Sequence, residues 1–141
     1  MSLMGVLDEH AGSRGKKVCL EFAGKKLAWR DLPGVVCACG NFLSQLNLEQ
    51  GNGDRVVVAP GKGPEFFMLL LGLWQIGAVP VILNPDIDPS RLEQAIGPVN
   101  ATLGVLAPGA IRPELDLEFH TAPDMDQLKG KAQPFNQAEP T

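Results

Sequence analysis

Phe66-Phe-Met-Leu-Leu-Leu-Gly-Leu-Trp-Gln-Ile-Gly-Ala-Val-Pro-Val-Ile-Leu83 is apolar throughout except for Gln75, and how this run divides decides the fold. Undivided, it reaches the length of about 18 apolar residues at which a membrane-spanning helix becomes a candidate. Its internal punctuation argues for two elements instead. Gly77 stands where a helix stops, Pro80 breaks any continuation, and Val79-Pro-Val-Ile-Leu83 is rich in β-branched residues. The run therefore predicts a buried helix over Glu65–Ile76 and a buried strand over Val79–Leu83, with no membrane span.

The flanking sequence repeats this alternation. Upstream, Asp54-Arg55 leads into Val56-Val-Val-Ala59, apolar on both faces as a central parallel strand requires, and Pro64 opens the helix that follows. Downstream, Asn84-Pro-Asp86 forms a loop, Asp88-Pro89 caps a helix to about Ile96 that ends at Gly97-Pro98, and Thr102–Ala107 is a further apolar strand. The fold class is α/β: a parallel βαβαβ sheet flanked by helices, with right-handed crossovers. A short N-terminal β-hairpin precedes it, Val18–Phe22 and Lys25–Trp29 about the turn Ala23-Gly24. Asp31 is placed to cap the next helix, Pro33 fits its first turn, and Val35, Val36, Cys39, Phe42, Leu43 and Leu46 form one apolar stripe. Asn47 is its expected left-handed stop, and Gln50-Gly-Asn-Gly53 the loop after it.

The organisation expected is a flexible leader over 1–17, an α/β subdomain over 18–107 and a proline-rich tail over 108–141. The tail holds five of the twelve prolines and one alternating stretch, Glu114–Phe119, suited to an edge strand; Lys129–Thr141 is expected to be loosely held or tied down only by a partner. At 141 residues the chain fits one domain and buries a core without staples. A composition of 45% apolar and 20% charged residues with net charge −4 excludes a disordered acidic tail and a basic nucleic-acid binder. Cys19, Cys37 and Cys39 are odd in number and the Cys-Ala-Cys pair is too tight for zinc, so they are expected as buried cytosolic thiols. No basic-then-apolar signal run opens the chain, and a cytoplasmic location is expected.

Ligands of open α/β sheets gather beyond the carboxyl ends of the strands, here Pro60–Gly63, Asn84–Asp88 and Pro108–Gly109. In Pro60-Gly-Lys-Gly-Pro-Glu65 the amides of Gly61 and Gly63, a helix amino end and Lys62 form a candidate anion site. The loop is not a phosphate-binding loop of the Walker type, because no glycine lies five residues before Gly61 and Gly63 stands where Ser or Thr belongs. Nor is it the dinucleotide fingerprint, since Phe66 takes the third glycine position, and Glu65 would repel phosphate. A plain strand-to-helix turn is the alternative. His10 and His120 have no neighbouring nucleophile, Asp88 is needed as a cap rather than as a partner of Asp86, and Trp29 and Trp74 suit packing. Lys16-Lys17 and Lys25-Lys26 are solvated runs. No catalytic residue, metal site or nucleic-acid face is expected.

Leu27-Ala-Trp-Arg-Asp-Leu32, Gly53-Asp-Arg-Val56, Gly63-Pro-Glu-Phe66, Leu73-Trp-Gln-Ile-Gly-Ala-Val-Pro-Val-Ile-Leu-Asn-Pro85 and Arg91-Leu92 follow one another in the order and spacing found near the start of AMP-forming acyl-CoA synthetases. From about Val18 to Ala107 the chain resembles the N-terminal region of this adenylate-forming superfamily. It departs from it at Ala28-Trp29, where the family has Thr or Ser before Tyr, and at Gly61-Lys-Gly63, where an Asn-containing turn is usual. The resemblance implies carboxylate activation as an acyl adenylate, then thioester formation, with ATP, magnesium and coenzyme A serving the whole enzyme. It also implies an incomplete ligase, because the family's phosphate loop and catalytic lysine follow the matched region. The chain alone is then expected to be inactive, without cofactor, and to need the remainder of the ligase in cis or in trans. Two other readings stand beside it: a non-catalytic partner that assembles with a complementary chain or with itself, and a small anion- or nucleotide-binding domain using Lys62.

Overall fold

The computed structural model describes residues 3–46, 48, 53–84 and 86–131. It divides the apolar run as its punctuation implied. Helix α3 covers Glu65–Gln75 and strand β4 covers Val79–Ile82; β4 is not the buried strand expected, since Val79 and Ile82 are exposed at the sheet edge. Between them Gly77 takes φ +75°, its amide donates to the Trp74 carbonyl (3.1 Å) and the Ala78 amide reaches back to the Leu73 carbonyl (2.9 Å). Those two bonds satisfy carbonyls that the last helical turn leaves open, the Schellman arrangement that a left-handed glycine permits. Pro64 lies one position earlier than expected, just outside the helix. Among the described residues no helix is long and apolar enough to cross a membrane.

The main sheet has four parallel strands in the order β4-β3-β5-β6, with β3 at Arg55–Ala59, β5 at Leu103–Leu106 and β6 at Phe119–Thr121. Val56, Val57 and Val58 of β3 are wholly buried because both faces of the sheet are covered. Val56 and Val58 point into the larger core, built on helix α2 (Leu32–Ser44) and α3, whereas Val57 points to a smaller cluster with Leu83, Leu115 and Leu92 of helix α4 (Pro89–Ile96). The expected parallel βαβαβ unit is present. Ahead of it β1 (Val18–Phe22) and β2 (Lys25–Ala28) form the antiparallel hairpin, turning through Ala23 and Gly24 with both φ positive, as a tight two-residue turn requires. Asp88 caps α4 as expected, accepting from the Ser90 amide (3.1 Å), and α4 runs on into a 3₁₀ turn at Gly97–Val99 closed by a left-handed Asn100.

Four further expectations are corrected. The segment 1–17, expected as a flexible leader, contains helix α1 (Leu3–Ser13), whose Leu7 and Ala11 are buried in the larger core. Asp31 stands at the start of α2 but makes no capping bond: its backbone is already helical (φ −90°, ψ −14°) where a capping residue is normally extended, and Pro33 at the second helical position has no N–H to offer. The edge strand expected at Glu114–Phe119 forms only at Phe119–Thr121. Leu115 and Leu117 instead turn inward to the smaller cluster through local bonds (Leu115 amide to Pro113 carbonyl, 3.0 Å; Leu117 amide to Leu115 carbonyl, 2.9 Å). The tail also carries helix α5 (Met125–Lys131), so Lys129–Lys131 belong to a helix rather than to a loose end. Asn47, Gln50–Asn52, Pro85 and the rest of the expected loose end, 132–141, lie outside the described residues.

Glycine sets two close approaches. Gly72 lets α3 cross α2 so tightly that an added Cβ would lie 3.2 Å from Cys39 Sγ, the Gly40 amide nitrogen and Leu43 Cδ1. Gly104 of β5 is covered by the ring of Phe119, its register partner on β6, and Arg112 lies over that ring at 5.7 Å. A methyl group at 104 would meet the ring directly. Gly104→Ala is expected to lower stability by about 1–3 kcal/mol, the ordinary cost of overpacking, seen as a lower urea midpoint at unchanged slope. Combined with Phe119→Leu, the loss should be smaller than the sum of the two single losses.

Candidate functional site

The chain leaves β3 through α3 on one face of the sheet to reach β4, then returns through α4 on the other face to reach β5 on the far side of β3. The connections thus part between the carboxyl ends of β3 and β5, the position at which open α/β sheets form a ligand crevice. Gly61 lies there with φ +59°, so close to the loop after β5 that an added Cβ would be 3.0 Å from the Pro108 carbonyl oxygen and 3.2 Å from Ala107 Cβ. Lys62 is exposed next to it.

Gly63 faces the other way. It packs against the Glu65 carboxylate, the one buried charged side chain among the described residues. Glu65 Oε2 accepts a hydrogen bond from the Met125 amide (2.8 Å), the first of α5. A carboxylate at the amino end of two helices interacts favourably with both sets of unpaired amides. Glu65 therefore fastens α5 to α3, and its charge opposes an incoming anion on that side of the turn. The candidate trio is separated: Gly61 at the crevice, Lys62 exposed, and Gly63 on an adjoining cleft.

That cleft, about 270 Å³, opens between the hairpin and the amino ends of α3 and α5. Leu20, Leu27 and Met125 supply apolar lining, and Lys25 and Asp126 form an exposed ion pair across it (3.4 Å). Its second helix end is built by a reciprocal capping box: the Asp124 amide donates to Gln127 Oε1 (2.9 Å) and the Gln127 amide to Asp124 Oδ1 (2.8 Å). Asp124-Met-Asp-Gln127 was a sequence signal for α5.

The remaining candidates are in structural use. Asn84 Oδ1 accepts from the Asp86 amide (3.0 Å), and Asp88 caps α4. His120 Nε2 lies 3.2 Å from Glu118 Oε1. His10 packs against Trp29, with ring centroids 5.1 Å apart and the planes tilted by 44°. Trp74, expected to pack, is 66% exposed, because it lies on the side of α3 opposite the core. All three cysteines are free. Burial pushes the Cys39 thiol up to about 12; the Cys19 thiol is also raised, chiefly by burial and further by Asp31 against a lowering backbone hydrogen bond. Neither is an activated nucleophile. Among the described residues no group of three or more His, Cys, Asp or Glu is placed to hold a metal ion.

A parallel sheet whose connections part between β3 and β5 makes this an open α/β fold. The chain belongs to the AMP-binding enzyme family, which residues 7–138 match, and corresponds to the N-terminal region of adenylate-forming enzymes. It is 31% identical over 111 residues to an acetyl-coenzyme A synthetase of Campylobacter jejuni, covering 75% of this chain and 17% of that enzyme. Over 46 residues it is 46% identical to an olefin beta-lactone synthetase of Stenotrophomonas maltophilia, 33% of this chain and 8% of that protein. Its fold is similar to part of the Klebsiella oxytoca NpsA N-terminal subdomain solved with 3-hydroxybenzoyl-AMSN: TM-score 0.75 at 21% identity, covering 99% of this chain and 34% of that one. A Mycobacterium tuberculosis fatty acyl CoA synthetase gives TM-score 0.75 at 16% identity, covering 98% and 30%. The chain thus spans less than a fifth of the curated relatives named here and about a third of these solved chains.

Two outcomes test the chemistry of these buried groups. Glu65→Ala is expected to cost about 1–3 kcal/mol, as an amide loses its buried acceptor, and to speed hydrogen exchange at the Met125 amide; Glu65→Gln keeps an acceptor oxygen and should largely restore both. Cys39 keeps its proton in the folded chain after the unfolded chain has lost it. Its contribution to stability is thus intact below the ordinary thiol value of 9.0 and falls as pH rises from there toward about 12. Unfolding midpoints across that range should show a decline that Cys39→Ala lessens.

Proposed function

We propose that this chain is the opening part of an AMP-forming acid–thiol ligase. In the complete reaction a carboxylate oxygen attacks the α-phosphorus of ATP, pyrophosphate leaves, and a thiol sulfur, that of coenzyme A, then displaces AMP from the acyl carbon. The observation that carries this reading is the family match over residues 7–138, nearly the whole chain, together with the acetyl-coenzyme A synthetase similarity. The role of these residues is to build a sheet and its carboxyl-end loops against which the rest of the enzyme closes. Magnesium, which the family uses with ATP, finds no cluster of ligands among the described residues, and no step here runs through it.

Stabilising the charge that develops on a phosphoryl group needs several aligned donors. This chain offers Lys62 and loop amides, with Glu65 opposing. The isolated chain is accordingly inactive and the enzyme needs its remainder, joined in cis or supplied in trans. Pyrophosphate release from ATP, measured over a panel of carboxylic acids, should be absent for the 141-residue chain and acid-dependent for the complete product of its gene. Turnover by the 141-residue chain alone, or none by the complete product, overturns the reading.

The position of Gly61 at the crevice favours a second reading, a small anion held by the loop amides and Lys62. Its test is amide NMR with ATP, AMP and coenzyme A added in turn. Shifts confined to Gly61–Glu65 that Lys62→Ala abolishes support it, and an unchanged spectrum ends it.

A further inference from the structure

Helix α3 carries two apolar stripes. Met68, Leu69, Leu73 and Ile76 after its end are buried against α2 and the sheet. Phe67, Leu70 and Trp74, spaced by three and four residues, lie on the other side, with Phe67 51% and Trp74 66% exposed, while Leu71 between the stripes packs at the margin of the core. A helix apolar all round belongs in an interior, not at a surface. The strand beside it continues the patch. Ile82, 52% exposed, pairs in register with Val58, whose side chain enters the core under α2 and α3, so Ile82 lies on α3's face of the sheet. Among the described residues β4 is also the edge of that sheet, with one side of its backbone unpaired. No charged residue occurs between Phe66 and Leu83 to keep this face in water.

We infer that the outer face of α3 and the edge strand β4 form the seat on which the rest of the adenylate-forming N-terminal domain packs, through an uncharged apolar surface. The inference rests on the reading under Proposed function. What points to that occupant is the proportion of the fold present: the chain aligns over 99% of its own length with the NpsA N-terminal subdomain yet covers 34% of it. Most of a domain of this fold is polypeptide that these residues must contact. A contiguous apolar patch on an otherwise ordinary surface marks such an interface. The partner surface is recognised by shape and apolarity rather than charge, which suits permanent packing within one domain better than transient docking.

The test is hydroxyl-radical footprinting, read by mass spectrometry at Phe67, Trp74 and Ile82, on the 141-residue chain and on the complete gene product. All three should be oxidised readily in the former and roughly fivefold more slowly in the latter, where packing excludes water. Light scattering of the 141-residue chain, with and without Trp74→Glu, accompanies it. Equal oxidation in both proteins, with acid-dependent pyrophosphate release by the complete product, overturns the seat and leaves the function standing. Protection without any such release upholds the seat and overturns the function. A stable dimer of the 141-residue chain in which the three residues are already protected, and which Trp74→Glu dissociates, assigns the face to a second copy and overturns the inference.

Discussion

Complete burial of Val56, Val57 and Val58 is the constraint on which the rest of this structure depends. Successive residues of a strand point to opposite faces, so three consecutive buried valines require a cover on each. The chain meets this by sending α3 over one face and α4 over the other. Those opposite crossovers place β4 and β5 on either side of β3. The crevice beside Gly61 is thus a consequence of how a central strand is hidden. In that sense the site geometry and the core are one problem, solved by the order in which the helices follow the strands.

Close packing then limits which residues the covers can carry. The crossing of α2 and α3 has Cys39, Gly40 and Leu43 on one helix facing Gly72 on the other, and a side chain at Gly72 would push the helices apart. The Cys39 thiol is raised by the same closeness, which turns a chemically capable group into packing material. Glu65 shows the reverse case. It is buried, yet its oxygen meets the Met125 amide, so burial of the polar group is matched by an acceptor's bond. This contact links the turn after β3 to the last described helix.

The sheet was legible because its signals are strong and local: three valines between turn residues, Gly77 and Pro80 inside one apolar run, Asp88-Pro89 before α4. The ends were less so. Leu3, Met4, Leu7 and Ala11 have helical spacing, but a short segment with two glycines and a histidine predicts little until the core it docks on is known. Alternation over Glu114–Phe119 imitated a strand, and pairing was decided instead by Phe119 finding the one residue on β5, Gly104, that leaves room for its ring. Asp124 and Gln127 carried a capping box that composition alone obscured. The turn Pro60–Gly63 follows β3 as the sequence pattern implies, but the way each of its residues faces could not be read from the sequence. That depends on Glu65 turning toward α5, a contact across 60 positions of sequence.

The apolar run that decides the fold has the composition of a membrane helix for a physical reason that needs no membrane. A crossover helix covered by protein on both sides would, like one in lipid, have no side facing water, and apolar residues would then suit it all round. Length distinguishes the cases: α3 has 11 residues, about half of what a bilayer demands. A helix of that length gains its stability from what covers it, more than from its own hydrogen bonds. With one stripe on the core and the other formed by Phe67, Leu70 and Trp74, α3 is half-covered by the residues described, and the edge of β4 that they leave unpaired lies beside it. Helix and edge strand are incomplete on the same side, which is what a single missing layer would leave.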